Sequence, residues 1–274
     1  MLDLSQLDKM LFLDIETVPE VYNYTDLDLE TTKLFDAKNA RYLTEDKTKS
    51  DVYNEKAGIY AEFGKIVCIS VGFVHQSATG RSIRMTSFAH EDEETLLRQF
   101  VRLLENNYNT PKHLLCGHNS KEFDIPFICR RLLIHGIGLP NVLNLAGKKP
   151  WEIQHLDTME LWKFGDYKTF TSLKLLTNVL GIPSPKDDID GSQVARVYWE
   201  DNDLDRIVRY CEKDTLAVAN LLQHVSDIAD RPPQAMAQFA RTNPHVTEER
   251  EVKHHQAGNH QIADVAVMER QAVR

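Results

Sequence analysis

The sequence lacks any apolar run of about eighteen residues and any charged-then-apolar leader, so neither a membrane span nor a secretory signal is expected. Cysteine is scarce: Cys68, Cys116, Cys129 and Cys211 lie far apart in apolar segments. With no Cys-x-x-Cys pair to hold zinc, they read as reduced core residues of a cytoplasmic protein. Excess positive charge is missing too, since 32 Lys and Arg face 41 Asp and Glu for a net charge of −9. That argues against gripping a long duplex through phosphate contacts. There are no internal repeats. What is present, 42% hydrophobic residues in a chain of 274, suffices for a substantial core.

Against this background, acids stand where a structural reading wants apolar residues. Met10 to Val18 reads as a buried strand, yet Asp14 and Glu16 fall on one of its faces beside Phe12 by the period of two. Two such charges repel in a low-dielectric site unless a cation neutralises them, which hard divalent metals do through oxygen ligands. On the helix predicted from Asp203 to His224, taking Ile207 as zero, Asp214 falls at about 340° and Tyr210 at about 300°. Both lie in the stripe of Cys211, Val218 and Leu221. A bare aspartate there costs several kcal/mol or neutralises itself. For Asp214 alone, a ligand and a salted or capping aspartate stand as equal readings. Asp124, with Pro126 close behind, opens an apolar helix that stops at Gly136, and alone it reads as an N-cap.

The order of elements is legible. After the first strand comes a long polar excursion, about 19–64, with helical periodicity near 29–42 and 50–61, read as a lid or an insertion. Lys65–Val74 and Arg81–Phe88 form a hairpin, and Glu93–Asn106 an amphipathic helix. A short strand at His113–Cys116, the Asp124 helix, a strand near Ile153–Asp157, a helix capped by Ser172 and the Asp214 helix follow. This predicts an α/β domain over 1–226, a mixed central sheet flanked by helices. From about Asp227 the character changes: Arg231-Pro232-Pro233 breaks the helix and 227–274 reads as a loosely ordered tail, open to a partner protein.

Asp14-Ile15-Glu16, Asn119-Ser120-Lys121-Glu122-Phe123-Asp124 and Tyr210-Cys211-Glu212-Lys213-Asp214 together resemble the three motifs of the 3′-5′ exonuclease domain of family B DNA polymerases. That domain belongs to the ribonuclease H-like superfamily, and the chain resembles in particular the stand-alone bacterial proteins described as predicted polymerase-B-like exonucleases. The resemblance spans residues 8 to 226. Position 209 holds Arg rather than His, which fits the subclass with a motif tyrosine. Two features depart from a minimal domain of this family: the long excursion after the first strand, and the absence of a polymerase domain afterwards.

The resemblance implies a nuclease removing nucleotides from the 3′ end of nucleic acid, single-stranded DNA favoured and RNA allowed. Asp14, Glu16, Asp124 and Asp214 would hold two Mg²⁺ or Mn²⁺ ions, roughly 3.5–4 Å apart in sites of this kind. Tyr210 would orient the attacking water, its ordinary pKa near 10 arguing against a general base. Thr17, Asn119, Phe123, Ser172 and Leu173 correspond to positions that hold the terminal nucleotides. Phe123 would stack on a base, Asn119 and Ser172 would bond sugar and phosphate, and Lys174 would neutralise a phosphate.

From Lys148 to Lys174, five lysines interleave with Trp151, Trp162, Phe164, Tyr167 and Phe170, the pattern of a single-strand platform. Half of these aromatics are expected in the core, since an exposed row would invite aggregation. Asp157 is a candidate for an acid that supports the metal-holding residues, with surface or capping duty the better reading, and His118 and His155 read as structural residues. Two other classes remain. Asp-x-Glu-Thr bears some likeness to aspartyl-phosphate phosphatases, but their second Asp is a Glu here and no downstream partner motif follows. A catalytically silent nucleic-acid-binding module would keep the fold without the chemistry.

Overall fold

The computed structural model describes residues 7, 9–77, 80–166, 168–182 and 189–229. Strand β1, Met10–Pro19, lies at the centre because both of its faces are apolar. Leu11, Leu13 and Ile15 enter the larger core, while Met10 and Phe12 enter another on the opposite face. Such a strand needs neighbours on both edges. On one edge β2 (Gly64–Ser77) pairs antiparallel with it, and β3 (Gly80–Ala89) completes the hairpin. On the other, β4 (Leu114–Gly117) and then β5 (Leu156–Asp157) run parallel, for the order β3-β2-β1-β4-β5. The mixed sheet expected from the sequence is therefore present. The β1–β2 register slips between Glu16 and Thr17, so that Val67 and Cys68 both turn to the same apolar cluster.

The excursion between β1 and β2 folds on its own small core. Helix α1 (Leu29–Asn39) starts where Asp28 accepts from the N–H of Glu30 and Thr31, and α2 (Lys49–Lys56) where Thr48 and Asp51 cap each other. Phe35, Val52, Tyr53 and Ala57 pack there with Tyr24 and Phe63. The two ends of the excursion meet, since the N–H of Glu20 donates to the carbonyl of Phe63 at 2.9 Å. A Cβ on Gly64 would lie 2.9 Å from the Ala57 carbonyl oxygen, so glycine is required at that neck.

Helices α3 (Glu93–Asn107) and α4 (Asp124–Ile134) cover the Leu11 face of the sheet. Arg131 of α4, only 2% exposed, ties them to the excursion. It meets the carboxylate of Glu93 with Nε at 3.0 Å and also reaches the Ala61 carbonyl at 2.8 Å and Glu20 at 3.4 Å. After β5 come α5 (Thr158–Lys163), α6 (Leu173–Val179), α7 (Val194–Trp199) and α8 (Leu204–Ala229). Ile207 and Cys211 of α8 close over Val18, and Val218 and Leu222 over Phe12. Helix α8 continues past the expected boundary to Ala229, and the rest of the predicted tail lies outside the described residues. No described helix is long and apolar enough to cross a membrane.

Candidate active site

Asp14 and Glu16 flank Ile15 on β1, so both carboxylates leave the strand on the face that α8 covers. A carboxylate oxygen of each and the sulfur of Cys211 lie within 4.8 Å of one another. Asp124 arrives from α4. Its Oδ1 accepts the N–H of Ile15 at 3.2 Å, which fixes it against the strand between the two β1 acids. The N-cap reading of Asp124 is corrected: the cap position is Phe123, which makes no side-chain cap bond, and Asp124 is the first helical residue. Its carboxylate reaches a partner 109 residues away in sequence.

The loop that delivers Asp124 is tightly folded. A Cβ on Gly117 would meet Ser120 Cβ at 2.4 Å and the Leu13 carbonyl at 3.1 Å, so the chain passes there only as glycine. Asn119 follows in the left-handed region at φ 62°, a conformation that asparagine tolerates. Asp157 holds this loop: its buried carboxylate accepts the N–H of Asn119 at 2.9 Å and of Lys121 at 3.0 Å. The same group accepts the N–H of Met159 at 2.9 Å and Glu160 at 3.4 Å, capping α5. The capping role was readable from the sequence, but the grip on the Asn119 loop was not, since it spans a separation of 38 residues.

From α8, Tyr210 and Asp214 come one turn apart, and the phenol of Tyr210 is hydrogen-bonded to Asp214. Cys211, expected only as a core residue, donates to the Asp14 carbonyl at 3.3 Å and to its Oδ2 at 3.4 Å. Burial, then the charges of Glu16, Asp124 and Asp214, push the Asp14 pKa well above the carboxylate range, against a lowering by Cys211. Glu16 is raised likewise, by burial and then by Asp214, with Cys68 and Asp124 adding to it. Burial lifts Asp124 to about 7, Asp157 adding to it while two backbone N–H groups pull it down. The Tyr210 phenol is raised by burial and by Asp214, Glu16 and Asp14, so it keeps its proton at neutral pH. Asp14, Glu16, Asp124 and Asp214 thus form one electrostatic cluster of mutually repelling acids.

The remaining candidates are more dispersed. Thr17 is half-buried on β1, and Asn119 is half-buried with its Oδ1 enclosed and unpartnered. Phe123 packs on Phe127 with ring centroids 5.6 Å apart. Ser172 caps α6 through the Leu175 N–H at 3.3 Å, Leu173 packs against the cores around Phe12 and Leu221, and Lys174 is exposed. The expectation that half of the 151–170 aromatics are core is corrected: Trp151, Trp162, Phe164 and Phe170 are all exposed, and Tyr167 lies outside the described residues. The segment lies over the surface on short helices that leave these rings uncovered. His155 is structural as expected, its pKa lowered to about 4 by burial and its ring bonded to Val142 and Leu115.

Residues 59–230 match the model of a family described as a predicted 3′-5′ exonuclease related to the exonuclease domain of PolB. The chain belongs to that family. The matched stretch holds Asp124, Tyr210 and Asp214, and begins after β1, whose Asp14 and Glu16 join them through the sheet. The fold of this PolB-related exonuclease family member is similar to the family B DNA polymerase from the hyperthermophilic archaeon Pyrobaculum calidifontis, with a TM-score of 0.50 at 17% identity. That likeness covers 78% of this chain and 24% of the polymerase, so the chain spans about a quarter of the polymerase's length. It supports a ribonuclease H-like α/β fold. No curated protein matches.

Proposed function

We propose that the protein is a metal-dependent 3′-5′ exonuclease that shortens single-stranded DNA from its 3′ end by two-metal hydrolysis. The observation that carries this reading is the cluster itself: burial raises Asp14, Glu16 and Asp124 alike, Glu16, Asp124 and Asp214 add to Asp14, and Asp214 and Asp124 add to Glu16. Leaving three or four carboxylates in one enclosed place is costly unless cations answer them. The donor set is carboxylate oxygen, which fits Mg²⁺ or Mn²⁺, with Asp14, Glu16, Asp124 and Asp214 as the holding residues. Bound there, such ions supply charge neutralisation, a more acidic water and a clamp on the attacking and leaving oxygens.

The chain's own residues do the rest. Tyr210 retains its proton and orients a water by hydrogen bonding, with Asp214 fixing its ring. Cys211 donates to Asp14 and sets which of its oxygens faces the site. Asn119, half-buried on the loop that delivers Asp124, bonds the terminal sugar. Thr17, Phe123, Ser172, Leu173 and Lys174 support the strand end around it. The test uses 5′-labelled single-stranded DNA and RNA of one sequence, with Mg²⁺, Mn²⁺ or chelator. A metal-dependent ladder shrinking from the 3′ end is expected, reduced roughly a thousandfold in Asp14→Ala, as losing several kcal/mol of stabilisation requires. Folded protein that cleaves neither strand under either metal would leave a binding module in its place.

A further inference from the structure

Between β5 and α6 the chain crosses the surface as a strap, residues 158–171, and both of its ends are pinned to one side chain. His118 bonds the Thr158 hydroxyl through Nδ1 at 2.9 Å and the Thr171 carbonyl through Nε2 at 2.8 Å. A third tie joins Lys121 to Glu160 at 2.7 Å. His118 and Lys121 bracket Asn119 in the loop that leads to Asp124, so the strap is mounted on the edge of the acidic cluster. Yet what it presents outward is aromatic: Trp162 is 37% exposed, Phe170 68% and Phe164 88%.

Phe164 is the telling residue. It ends α5 in the left-handed region at φ 45°, followed by Gly165 at φ 89°. A bulky side chain pays for that conformation, and this one recovers nothing by burial. Strain combined with full exposure points to a contact made outside the folded chain. The charge around it narrows the occupant. Lys163 and Lys168 lie on the strap and Lys174 just after it, in a chain whose net charge is −9. The strap's acids have partners: Glu160 is ion-paired to Lys121, and Asp166 accepts from the Lys168 N–H and the Thr169 hydroxyl. Aromatic faces interleaved with lysines suit bases and phosphates of an unpaired strand, and a duplex would keep those base faces covered.

We infer that this strap is the platform on which the single strand lies as its 3′ end enters the acidic cluster, with Phe164 and Phe170 stacking on bases. The inference rests on the exonuclease reading, and its test is separable from it. Anisotropy of a 5′-fluorescein oligothymidylate is titrated with the full chain in chelator, where no cleavage occurs. The Phe164→Ala/Phe170→Ala variant is expected to bind at least about 25-fold more weakly, since each lost stack weakens binding about five- to 150-fold and the two losses multiply. Blunt duplex affinity is expected to change by less than about twofold. Titration should also quench tryptophan fluorescence in the parent, less so in Trp162→Phe. Parent-like oligothymidylate affinity in the double variant overturns the platform, whatever the cleavage assay shows. An equal loss for duplex overturns its single-strand character. A parent that binds through the strap but cleaves nothing keeps the platform and removes the exonuclease.

Discussion

Two groups of buried acid lie against the same sheet, and they are treated in opposite ways. Glu93 is 5% exposed and fully answered: Arg131 meets both of its oxygens, His135 approaches at 2.7 Å, and the N–H of Ile66 donates at 2.7 Å. Glu16 and Asp124 are buried as deeply or nearly so and Asp14 is half-buried, but burial raises all three and neighbouring acids add to it. The first group is how a fold keeps a charge inside for its own purposes, with the counter-charge supplied by the chain. The second keeps charge in place at the expense of the empty fold, which is the mark of a site awaiting something from solution.

The contrast can be broken from either side. Arg131→Ala leaves Glu93 buried without its guanidinium and frees the neck of the excursion. A stability loss of about 3–5 kcal/mol is expected in urea unfolding. A loss under about 1 kcal/mol would mean that the pair is not what holds this region. Asp157→Asn, which swaps one acceptor oxygen for a donor facing the N–H of Asn119 or Lys121, should cost about 1–3 kcal/mol. No change in stability would show that the loop is held by other means.

The acidic cluster should respond in the other direction. Its folded-state pKa values are raised, so the folded protein binds protons that the unfolded chain releases. Metal-free stability is therefore full below the ordinary carboxylate range near 4 and is lost as pH rises through the folded value, about 7 for Asp124. Thermal melts in chelator should thus show higher Tm at pH 6 than at pH 8. At pH 8 Asp14→Asn should be more stable than the parent by on the order of 1 kcal/mol, the worth of one unit of pKa. Saturating Mg²⁺ should reverse that order, and a parent equally stable with and without metal at pH 8 would contradict the reading.

Much of this contrast was legible in the sequence, for definite reasons. Alternation along Met10–Val18 put Asp14 and Glu16 on one face, and helical spacing put Tyr210 and Asp214 together, because long regular elements carry their period openly. The six-residue helices α5 and α7 were not legible, since helices so short form by packing rather than by propensity. Nothing in the sequence sets Arg131 apart, and only its partners Glu93 and Ala61 explain its burial. Cys211 looked like core, and is, but its thiol also touches Asp14. The exposed aromatics after Lys148 defeated the expectation that half of them belong to the core, which is where a sequence rule should fail if a surface has work to do.

The single hydrogen bond from Glu20 to Phe63 has a consequence for how this chain tolerates change. Because the two ends of the excursion already touch, the stretch between them is a closed side-loop, and the sheet does not depend on its length to bring β1 and β2 into register. Such a neck is where a chain can lose, lengthen or exchange a module while the strands beneath stay in step. The α1–α2 unit is in that sense a cartridge: diversity can accumulate there, or be installed there by design, at little cost to the acids a few residues upstream.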